Sequence, residues 1–450
     1  MRRVAVIGAG LTGLSAAYEA NRVAPDAEVV VFEASDRPGG RVRTTAFAGH
    51  LVDEGADAFL VRVPDAVELC EELGLGDELV APAQRTAFIR VDGKLRRLPS
   101  EQLLGVPTDL DALAASGIVT AAGVEVARRD LEAAHEPLRG DAPIGEVIRE
   151  RLGDEVHERL VAPLIGGINA GDADHLSIRA CAPQLAAAAE QGGSLVAAAA
   201  RMRARSSADP SRPVFNAPRG GMGVVIDRLT KAVEAEIRTS TPVRSLQRDG
   251  TRWTLDADPE PFDRVIVTTP APVAASLLGR SEATGLLAAI PLVSVVMTTL
   301  AVRRERIDHP LDGSGFLVVG PAEGIITACS FSSSKWDHLS NPDNVVLRVS
   351  AGRDGDQQAL SMSDAELTRT IEAELADMIG MHGQASEVRV TRWVDAFPQY
   401  RPGHVELVAE IEATVSSDLP GVAVAGAAMH GLGVPACIGQ GRMTARALLG

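Results

Sequence analysis

The segment VAVIGAGLTGLSAAYEANRV (residues 4–23), with VVVFEA (residues 29–34) after it, decides the fold of this chain. A short apolar run ends at Ile7, and three glycines follow it with the spacing G-x-G-x-x-G. The next ten residues predict a helix, and a second apolar run ends at Glu33, twenty positions after the third glycine. A strand, a glycine turn, a helix and a second strand form the βαβ unit of dinucleotide-binding domains. The segment therefore predicts a Rossmann-like domain.

Each position of this motif has a chemical role in binding a dinucleotide. Gly8 makes the tight turn, Gly10 lets the backbone approach a pyrophosphate, and Gly13 lets the helix pack close to the strand. The N–H groups and the positive dipole end of the helix favour phosphates, and the carboxylate of Glu33 can accept hydrogen bonds from ribose hydroxyls. A glycine-rich turn that binds nothing is the alternative. The predicted contacts are Gly8, Ala9, Gly10, Leu11, Thr12, Gly13, Glu33 and Ala34.

The residues after the second strand indicate which dinucleotide is bound. They read EASDRPGGRVRT (residues 33–44), in which two glycines relieve steric limits and Arg41 and Arg43 can reach phosphate oxygens. The segment resembles the flavin amine oxidase and protoporphyrinogen oxidase superfamily, whose members carry E-A-x-x-R-x-G-G-[RK]-x-x-[TS] here. The resemblance implies FAD as the cofactor, bound non-covalently. A solvated loop is the alternative for the two arginines.

Three later segments resemble the same superfamily and extend the implied FAD site. VDEGADAF (residues 52–59) matches a turn that passes close to the flavin. In TPVRSL (residues 241–246), Val243 lies where backbone atoms contact the adenine, and a buried strand valine is the alternative. GLGVPACI (residues 431–438) predicts a last helix whose first N–H groups point at the flavin N1–C2=O edge. The further implied contacts are Gly55, Ala56, Asp57, Ala58, Ala427, Leu432, Gly433 and Val434.

The four cysteines, Cys70, Cys181, Cys329 and Cys437, lie far apart in the sequence. No pair has the spacing of metal ligands or suggests a disulfide framework, which fits a reducing compartment and predicts no metal site. Cys437 raises the alternative of a covalently bound flavin, although a small buried residue is the simpler interpretation.

Other regions resemble the porphyrinogen oxidase branch of the superfamily specifically. PLIGGINAGDADHLSIRACAP (residues 163–183) matches the branch pattern P-x-x-x-G-[IV]-x-A-G-[DN]-x-x-x-L-S-x-R, where small residues let the backbone line a flat tetrapyrrole cavity. A glycine-rich turn between helices is the alternative. GSGFLV (residues 313–318) and CSFSSSKWDH (residues 329–338) also resemble this branch, and Lys335 is either a partner for a substrate carboxylate or an exposed lysine. The implied substrate contacts are Gly167, Asn169, Gly315, Leu317 and Lys335.

The order of these segments predicts an α/β fold, α+β overall, in three parts. The parts are a discontinuous Rossmann-like FAD-binding domain, a substrate-binding domain with a mixed sheet, and a helical lobe. Residues 191–213 predict a helix that runs into a surface loop. The predicted boundaries are 1–64, 214–277 and 392–450 for the FAD-binding domain, 65–82, 171–213 and 278–391 for the substrate-binding domain, and 83–170 for the helical lobe.

Composition argues against several other classes of protein. The 450-residue chain carries a formal net charge of −16, which disfavours binding to nucleic acid or to an anionic membrane. No apolar stretch reaches the ~18 residues of a membrane-spanning helix. The longest, IPLVSVVMTTLAV (residues 290–302), reads as a buried strand. Because a strand pattern begins at the first residues, no cleavable signal peptide is expected. These features predict a cytoplasmic protein whose membrane contact is at most peripheral.

The resemblance along nearly the whole chain implies oxygen-dependent oxidation of a porphyrinogen to a porphyrin in haem biosynthesis. Such a reaction removes six electrons in three two-electron steps through one flavin, and O₂ is reduced to H₂O₂. The motifs contain no convincing general base, so catalysis is expected to depend on positioning and on the flavin. The implied partners are the porphyrinogen and O₂, and a transient contact with the next haem-pathway enzyme is left open.

Two substrates and two other functions stay open at the level of sequence. Coproporphyrinogen III has four carboxylates and protoporphyrinogen IX has two. Mitochondrial and plastid members of the family carry an arginine where this chain has Asp57, and an acid cannot anchor a propionate, which favours coproporphyrinogen III. A flavin amine oxidase is less favoured, because Tyr400, Trp336 and Trp393 would have to form its aromatic cage. A noncatalytic FAD- or porphyrin-binding protein is the remaining alternative.

Overall fold

The structure is a computed structural model that describes residues 2–206, 213–279, 281–320 and 324–450. Within these ranges, no helix combines the length and the apolar composition needed to cross a membrane. The chain packs into two compact units, each made of separated segments. The first comprises Met1–Ala81, Val214–Pro291 and Val405–Gly450, and the second comprises Pro82–Pro213 and Leu292–His404.

The strands are mostly short, and the longest belong to the second unit. In chain order they are β1 (Arg3–Ile7), β2 (Glu28–Phe32), β3 (Thr44–Phe47), β4 (His50–Asp53), β5 (Phe59–Leu60), β6 (Leu79–Val80), β7 (Phe88–Val91), β8 (Lys94–Arg97), β9 (Gln102–Leu103), β10 (Val106–Pro107), β11 (Phe215–Pro218), β12 (Glu236–Arg238), β13 (Leu246–Asp249), β14 (Arg252–Leu255), β15 (Asp258–Phe262), β16 (Arg264–Val267), β17 (Leu292–Arg303), β18 (Gly315–Val318), β19 (Ile326–Phe331), β20 (Asn344–Ala351), β21 (Glu387–Pro398) and β22 (Val422–Val424).

The α-helices range from single turns to 16 residues in length. In chain order they are α1 (Leu11–Val23), α2 (Asp65–Glu72), α3 (Leu110–Ser116), α4 (Ala121–Arg129), α5 (Ile144–Leu152), α6 (Asp154–Val156), α7 (Ala162–Asn169), α8 (Ile178–Cys181), α9 (Pro183–Ala189), α10 (Leu195–Ser206), α11 (Gly223–Ala232), α12 (Ala271–Leu278), α13 (Ala283–Ala288), α14 (Ser332–Lys335), α15 (Gln358–Ser361), α16 (Asp364–Ile379), α17 (His404–Asp418) and α18 (Val434–Leu449).

A parallel sheet forms the centre of the first unit. Its strand order is β12-β2-β1-β16-β22, and every neighbouring pair is parallel. The inner strands read RVAVI, EVVVF and RVIV and are almost entirely buried. Such near-continuous apolar strands are typical of parallel sheets that are covered on both faces. The βαβ unit of β1, α1 and β2 confirms the predicted Rossmann-like domain.

A mixed sheet forms one half of the second unit. Its order is β21-β17-β20-β19-β18-β7-β8, and all neighbours are antiparallel except β18 and β7. The predicted buried strand is β17, which pairs with β20 and β21 along its length. Phe316, Phe331 and Leu347 belong to the core of this sheet, together with apolar residues of α16.

Helices of the second unit enclose a separate core. Ile144, Ile148 and Leu152 recur on one face of α5 and are fully buried in this core, together with residues of α3, α4, α7, α9 and α10. The second unit holds residues 83–170, predicted as the helical lobe, although β7 and β8 within them join the mixed sheet. It also holds most of the predicted substrate-binding domain, but residues 65–81 and 278–291 of that domain pack in the first unit, and residues 392–404, predicted for the FAD-binding domain, pack in the second. The functional division into three parts remains a prediction. The helix predicted from residue 191 onward is α10, and residues 207–212 of the loop predicted after it lie outside the described residues.

Candidate functional site

The parallel sheet brings four chain segments to one edge of the first unit. The carboxyl ends of β1, β2, β16 and β22 lie at the same edge, because these strands run in the same direction. The chain continues from those ends into Gly8, Glu33, Thr268 and Ala425. Open α/β sheets bind their ligands outside the carboxyl ends of their strands. This edge is therefore the candidate cofactor site.

The three glycines after β1 are required for different steric reasons. Gly8 has a φ of +104°, and its carbonyl oxygen lies 3.0 Å from the Thr268 hydroxyl. A Cβ at Gly13 would lie 1.9 Å from the same carbonyl oxygen, so α1 can approach the turn only with glycine there. Gly10 is the N-cap of α1, and a Cβ on it would meet no protein atom within 4 Å. Because no side chain caps α1, the open space at Gly10 is a cradle that fits a phosphate group.

The carboxylate of Glu33 holds the glycine turn in place. Its Oε2 accepts a hydrogen bond from the Ala9 N–H at 2.8 Å, and its Oε1 accepts from the backbone N–H and the hydroxyl of Ser35 at 2.9 and 2.7 Å. Carboxylate oxygens have several lone pairs, so Glu33 can still accept from a ribose hydroxyl. Glu33 is partly buried and Ala34 is exposed. The ribose contact stays a prediction, and the bond to Ala9 is a role that sequence reasoning missed.

A second pair of glycines packs against the first turn and positions Arg41. The Gly39 N–H donates to the Ala9 carbonyl at 2.7 Å. A Cβ on Gly40 would lie only 3.2 Å from the Cα of Gly10. Arg41 comes next, and its burial lowers the pKa of its guanidinium. A phosphate near this cation would form charge-assisted hydrogen bonds and offset its desolvation.

The last helix, α18, begins as predicted, with Gly433 as its N-cap and Pro435 in its first turn. No side chain caps its first N–H groups, so their partial positive charge is available to a ligand. Among the predicted contacts before and in this turn, Gly433 is exposed, and the partly buried ones are Ala427, Leu432 and Val434.

Gln440 is a residue that sequence reasoning missed, and it organises the loop before α18. Its buried amide oxygen accepts hydrogen bonds from the N–H groups of Gly426 and His430 at 3.3 and 3.2 Å. Its Nε2 donates to the Gly431 carbonyl at 3.1 Å. One side chain therefore fixes the backbone between β22 and α18. The signal in the sequence was a polar residue nearly two turns inside an otherwise apolar helix start.

Helix α18 packs directly on α1. A Cβ on Gly441 would lie 2.2 Å from the Thr12 carbonyl oxygen. Nearby, the buried carboxylate of Glu19 is 3.0 Å from the Arg442 Nε and 2.8 Å from the Arg446 Nε. Burial would raise the pKa of Glu19, but the hydrogen bonds and charges of the two arginines outweigh it and hold the pKa below its ordinary value. These contacts hold α18 against α1.

Two other predicted cofactor segments also belong to the first unit. Asp53, the buried last residue of β4, accepts a hydrogen bond from the Met222 N–H at 2.9 Å. The alternative of a strand valine was wrong for Val243, because the chain runs without regular structure between β12 and β13. Pro242 before it cannot donate to a strand ladder, yet Val243 is buried in the core. In the turn after β4, Ala56 is exposed, and the partly buried predicted contacts are Gly55, Asp57 and Ala58.

In the second unit, three predicted substrate residues come from two neighbouring elements. A Cβ on Gly167, in α7, would lie 3.1 Å from Cδ2 of Leu317, in β18. Gly315, on the same strand, has a φ of +146°, and a Cβ there would lie 2.2 Å from the Cys329 carbonyl oxygen. The alternative of a glycine-rich turn was wrong for Gly167, which lies inside a helix that continues to Asn169.

The other two predicted substrate residues already have partners in the protein. Asn169 is buried, and its Nδ2 donates to the Ile165 carbonyl at 3.0 Å while its own carbonyl accepts from Gln399 Nε2 at 3.0 Å. Lys335 ends α14, and its Nζ lies 5.2 Å from the centre of the Trp336 ring. Roles toward a substrate stay predictions for both. Over the described ranges, no group of three or more His, Cys, Asp and Glu side chains is placed to hold a metal ion.

The sequence matches a known family over almost its full length. Residues 11–449 match the family of flavin containing amine oxidoreductases. The chain belongs to this family. It is a flavin-dependent oxidoreductase with the predicted α/β architecture. The cradle at Gly10, the uncapped starts of α1 and α18 and the partly buried Arg41 together fit the anionic and electron-accepting parts of a flavin nucleotide.

Individual relatives are similar along their whole lengths. A protein of Mycobacterium leprae (strain TN) named coproporphyrinogen III oxidase is 36% identical over 97% of this chain and 96% of the relative. A protein of the same name from Bacillus subtilis (strain 168) is 29% identical over 98% of this chain and 96% of the relative. The crystal structure of a protein from Exiguobacterium sp. 255-15, provisionally named a protoporphyrinogen oxidase, superposes with a TM-score of 0.89 at 32% identity, covering 100% of this chain and 98% of that one.

Proposed function

We propose that this protein is an FAD-dependent oxidase that converts coproporphyrinogen III to coproporphyrin III in haem biosynthesis. Three O₂ accept the six electrons and six protons that the substrate loses, and three H₂O₂ are released. The observation that carries the proposal is the full-length similarity to relatives of that name, which include 36% identity to the Mycobacterium leprae protein. Protoporphyrinogen IX, with two carboxylates instead of four, is the alternative substrate.

The first unit would hold the FAD without a covalent link. The pyrophosphate would bind at Gly10 and the start of α1, and Arg41 would pair with a phosphate oxygen. The thiol of Cys437 lies 3.7 Å from the Leu432 carbonyl oxygen, and burial raises its pKa. A thiol that stays protonated is a poor nucleophile, which supports non-covalent binding.

Positioning would be the main contribution of the protein to the reaction. When bound, FAD accepts two electrons at a time from a substrate and returns them to O₂. The uncapped N–H groups at the start of α18 would stabilise negative charge that develops at the flavin N1–C2=O edge. On the substrate side, Gly167 and Leu317 would present a surface of small and apolar groups to the face of a macrocycle.

The aromatic residues do not favour an amine oxidase. Tyr400 is 3% exposed and stacks on the His404 ring at 4.1 Å between centroids. Trp336 is 2% exposed. The third candidate, Trp393, is only partly buried, and a single aromatic side chain cannot form the open cage that holds a neutral amine. We also propose a cytoplasmic location and a transient contact with the next haem-pathway enzyme. Both follow from the proposed reaction and from no feature of the structure.

The test is turnover in air with defined products. The purified yellow protein is mixed with coproporphyrinogen III, and porphyrin fluorescence, O₂ uptake and H₂O₂ are recorded against flavin-stripped protein and an enzyme-free control. We expect accelerated porphyrin formation with three H₂O₂ per porphyrin, and bleaching of the flavin absorbance when O₂ is excluded. Flavin that is not bleached by either porphyrinogen, together with no acceleration, would exclude the proposed function.

A further inference from the structure

Arg353 is a cation whose guanidinium is incompletely bonded, beside the predicted substrate residues. It follows β20, after Gly352, whose φ of +94° turns the chain sharply. The next residue, Asp354, donates its N–H to the carbonyl of Ala170 at 2.9 Å, and Ala170 ends α7 directly after Asn169. Arg353 is thereby placed next to the end of the helix that carries Gly167.

The same guanidinium also reaches the loop after β18. Its Nη2 lies 3.5 Å from the Gly320 carbonyl oxygen, a long hydrogen bond, and this carbonyl is three residues beyond Leu317. Arg353 therefore lies between the ends of the two elements, α7 and β18, whose residues Gly167 and Leu317 approach each other.

The guanidinium of Arg353 has fewer hydrogen-bond and ion-pair partners in the described part of the chain than a largely desolvated charged group needs. Its Nε is sealed from solvent and has no hydrogen-bond partner, and within the described part of the chain no carboxylate lies within ion-pair distance of it. Desolvation lowers the pKa of Arg353, although the more distant charges of Asp356 and Asp172 act in the opposite direction. A partly buried cation with a sealed, unbonded nitrogen and no paired anion is costly, and we infer that a carboxylate from outside the protein completes its bonding.

Three carboxylates around Arg353 each accept a hydrogen bond from another group of the protein. Asp354 Oδ2 accepts from Arg401 at 2.7 Å, and Asp356 Oδ1 accepts from the Gln358 N–H at 3.0 Å. Asp172 Oδ1 accepts from the Asp174 N–H at 2.9 Å. These bonds hold the acids around Arg353 in place, and none of the three carboxylates lies within ion-pair distance of its guanidinium, so the charge of Arg353 has no direct carboxylate partner in the described part of the chain.

We propose that Arg353 anchors a carboxylate of the substrate, which in coproporphyrinogen III is one of its four propionates. This inference rests on the proposed function for the identity of the substrate. A planar guanidinium binds a carboxylate with paired, charge-assisted hydrogen bonds, which a lysine or an amide cannot reproduce. Arg353 would act as a residue of specificity, since it contacts a peripheral acid group and not the carbons that are oxidised.

The experiment compares binding of the product and of its masked form. Affinities for coproporphyrin III and for its tetramethyl ester are measured by fluorescence, in one detergent buffer, for wild type, Arg353→Gln, Arg353→Lys and the control Arg369→Gln. Arg369 is an exposed residue of α16 in the same unit, so its replacement removes an equal charge from a surface position. Melting temperatures of all variants verify folding.

We expect Arg353→Gln to weaken binding of the free acid by about tenfold or more and to leave binding of the ester unchanged. Arg353→Lys should recover part of the loss, and Arg369→Gln should have no effect. With coproporphyrinogen III as substrate, Arg353→Gln should raise KM by a similar factor and change kcat by less than about threefold.

Three results would overturn the proposed role of Arg353. They are an equal loss of affinity for the free acid and the ester in Arg353→Gln, a wild type that binds neither compound, and a loss of affinity in Arg369→Gln as large as that in Arg353→Gln. The binding assay needs no turnover. A wild type that prefers the free acid through Arg353 but oxidises no porphyrinogen would therefore reject the proposed function and keep the anchor. If the wild type oxidises coproporphyrinogen III normally and Arg353→Gln binds the free acid as tightly as wild type, the proposed function stands and the anchor is rejected.

Discussion

At the scale of single residues, glycine serves two different purposes at the cofactor edge. Gly13 is glycine because the protein itself fills the space, since a Cβ there would lie 1.9 Å from the Gly8 carbonyl oxygen. Gly10 is in an ordinary extended conformation, and a Cβ on it would meet no protein atom within 4 Å. The fold therefore explains the glycine at position 13, whereas no protein atom explains the one at position 10, where we propose that the cofactor approaches the backbone.

Substitution of these two glycines by alanine should affect different properties, the stability of the protein for Gly13 and flavin binding for Gly10. Gly13→Ala should lower the free energy of unfolding of the flavin-free protein by about 2 kcal/mol, because a buried overlap must be relieved. Gly10→Ala should leave that free energy unchanged within about 0.5 kcal/mol and still weaken flavin binding. Urea unfolding of the stripped proteins and flavin titration measure the two quantities. A Gly10→Ala protein that binds flavin as tightly as wild type would contradict the assignment of this cradle.

Cys437 gives a second test at the residue scale. Because burial raises the pKa of its thiol, we expect no covalent bond to the flavin. The Cys437→Ala variant should bind flavin with the same absorbance as wild type, and both should release all of it in denaturant. Yellow colour that remains on denatured wild type, but not on Cys437→Ala, would show that the linkage is covalent.

At the scale of elements, the packing of α18 on α1 links the two ends of the chain to one site. The sequence allowed the start of α18 to be predicted, because Gly433 and Pro435 are local signals. It did not reveal the partner of that helix. The contact between Gly441 and Thr12, and the pairing of Glu19 with Arg442, join residues more than 400 positions apart, which no local pattern specifies.

Glu19→Gln tests this helix pair. Loss of the buried carboxylate leaves Arg442 with a weaker partner, so the free energy of unfolding at pH 7 should fall by about 3 kcal/mol. Glu72→Gln is the matched control, because Glu72 also contacts Arg442 but is 29% exposed, and its loss should cost less than about 1 kcal/mol. Equal losses in the two variants, measured by urea unfolding, would contradict a buried role for Glu19.

The ion pairs of Glu19 with Arg442 and Arg446 also predict how the stability of the protein depends on pH. The folded-state pKa of Glu19 is lowered from its ordinary value of 4.5, so its stabilisation is complete above that pH and is lost as pH falls below it. The difference in melting temperature between wild type and Glu19→Gln should therefore be constant from pH 7 to about 5.5 and shrink toward pH 3. A difference that grows with acidification would have the wrong sign for this explanation.

At the scale of the whole molecule, the sequence predicted more of the cofactor side than of the substrate side. The glycine turn and the start of α18 are short motifs whose backbone conformation depends on their own residues, and both were found. Thr268 and Gln440 were not found, because each supports a turn of the chain that it does not belong to. Arg353 was missed for the same reason, since only the pairing of distant elements brings it beside α7 and β18.

The preference of the enzyme for four carboxylates over two is measured as the ratio of kcat/KM for coproporphyrinogen III and protoporphyrinogen IX, both supplied in air to the same flavin-loaded protein. Porphyrin fluorescence is corrected for spontaneous oxidation with an enzyme-free control. We expect a ratio of at least about tenfold in favour of the four-carboxylate substrate, since a charge-assisted carboxylate contact is worth that factor or more. A ratio that favours protoporphyrinogen IX would contradict this expectation and make Asp57 a misleading clue.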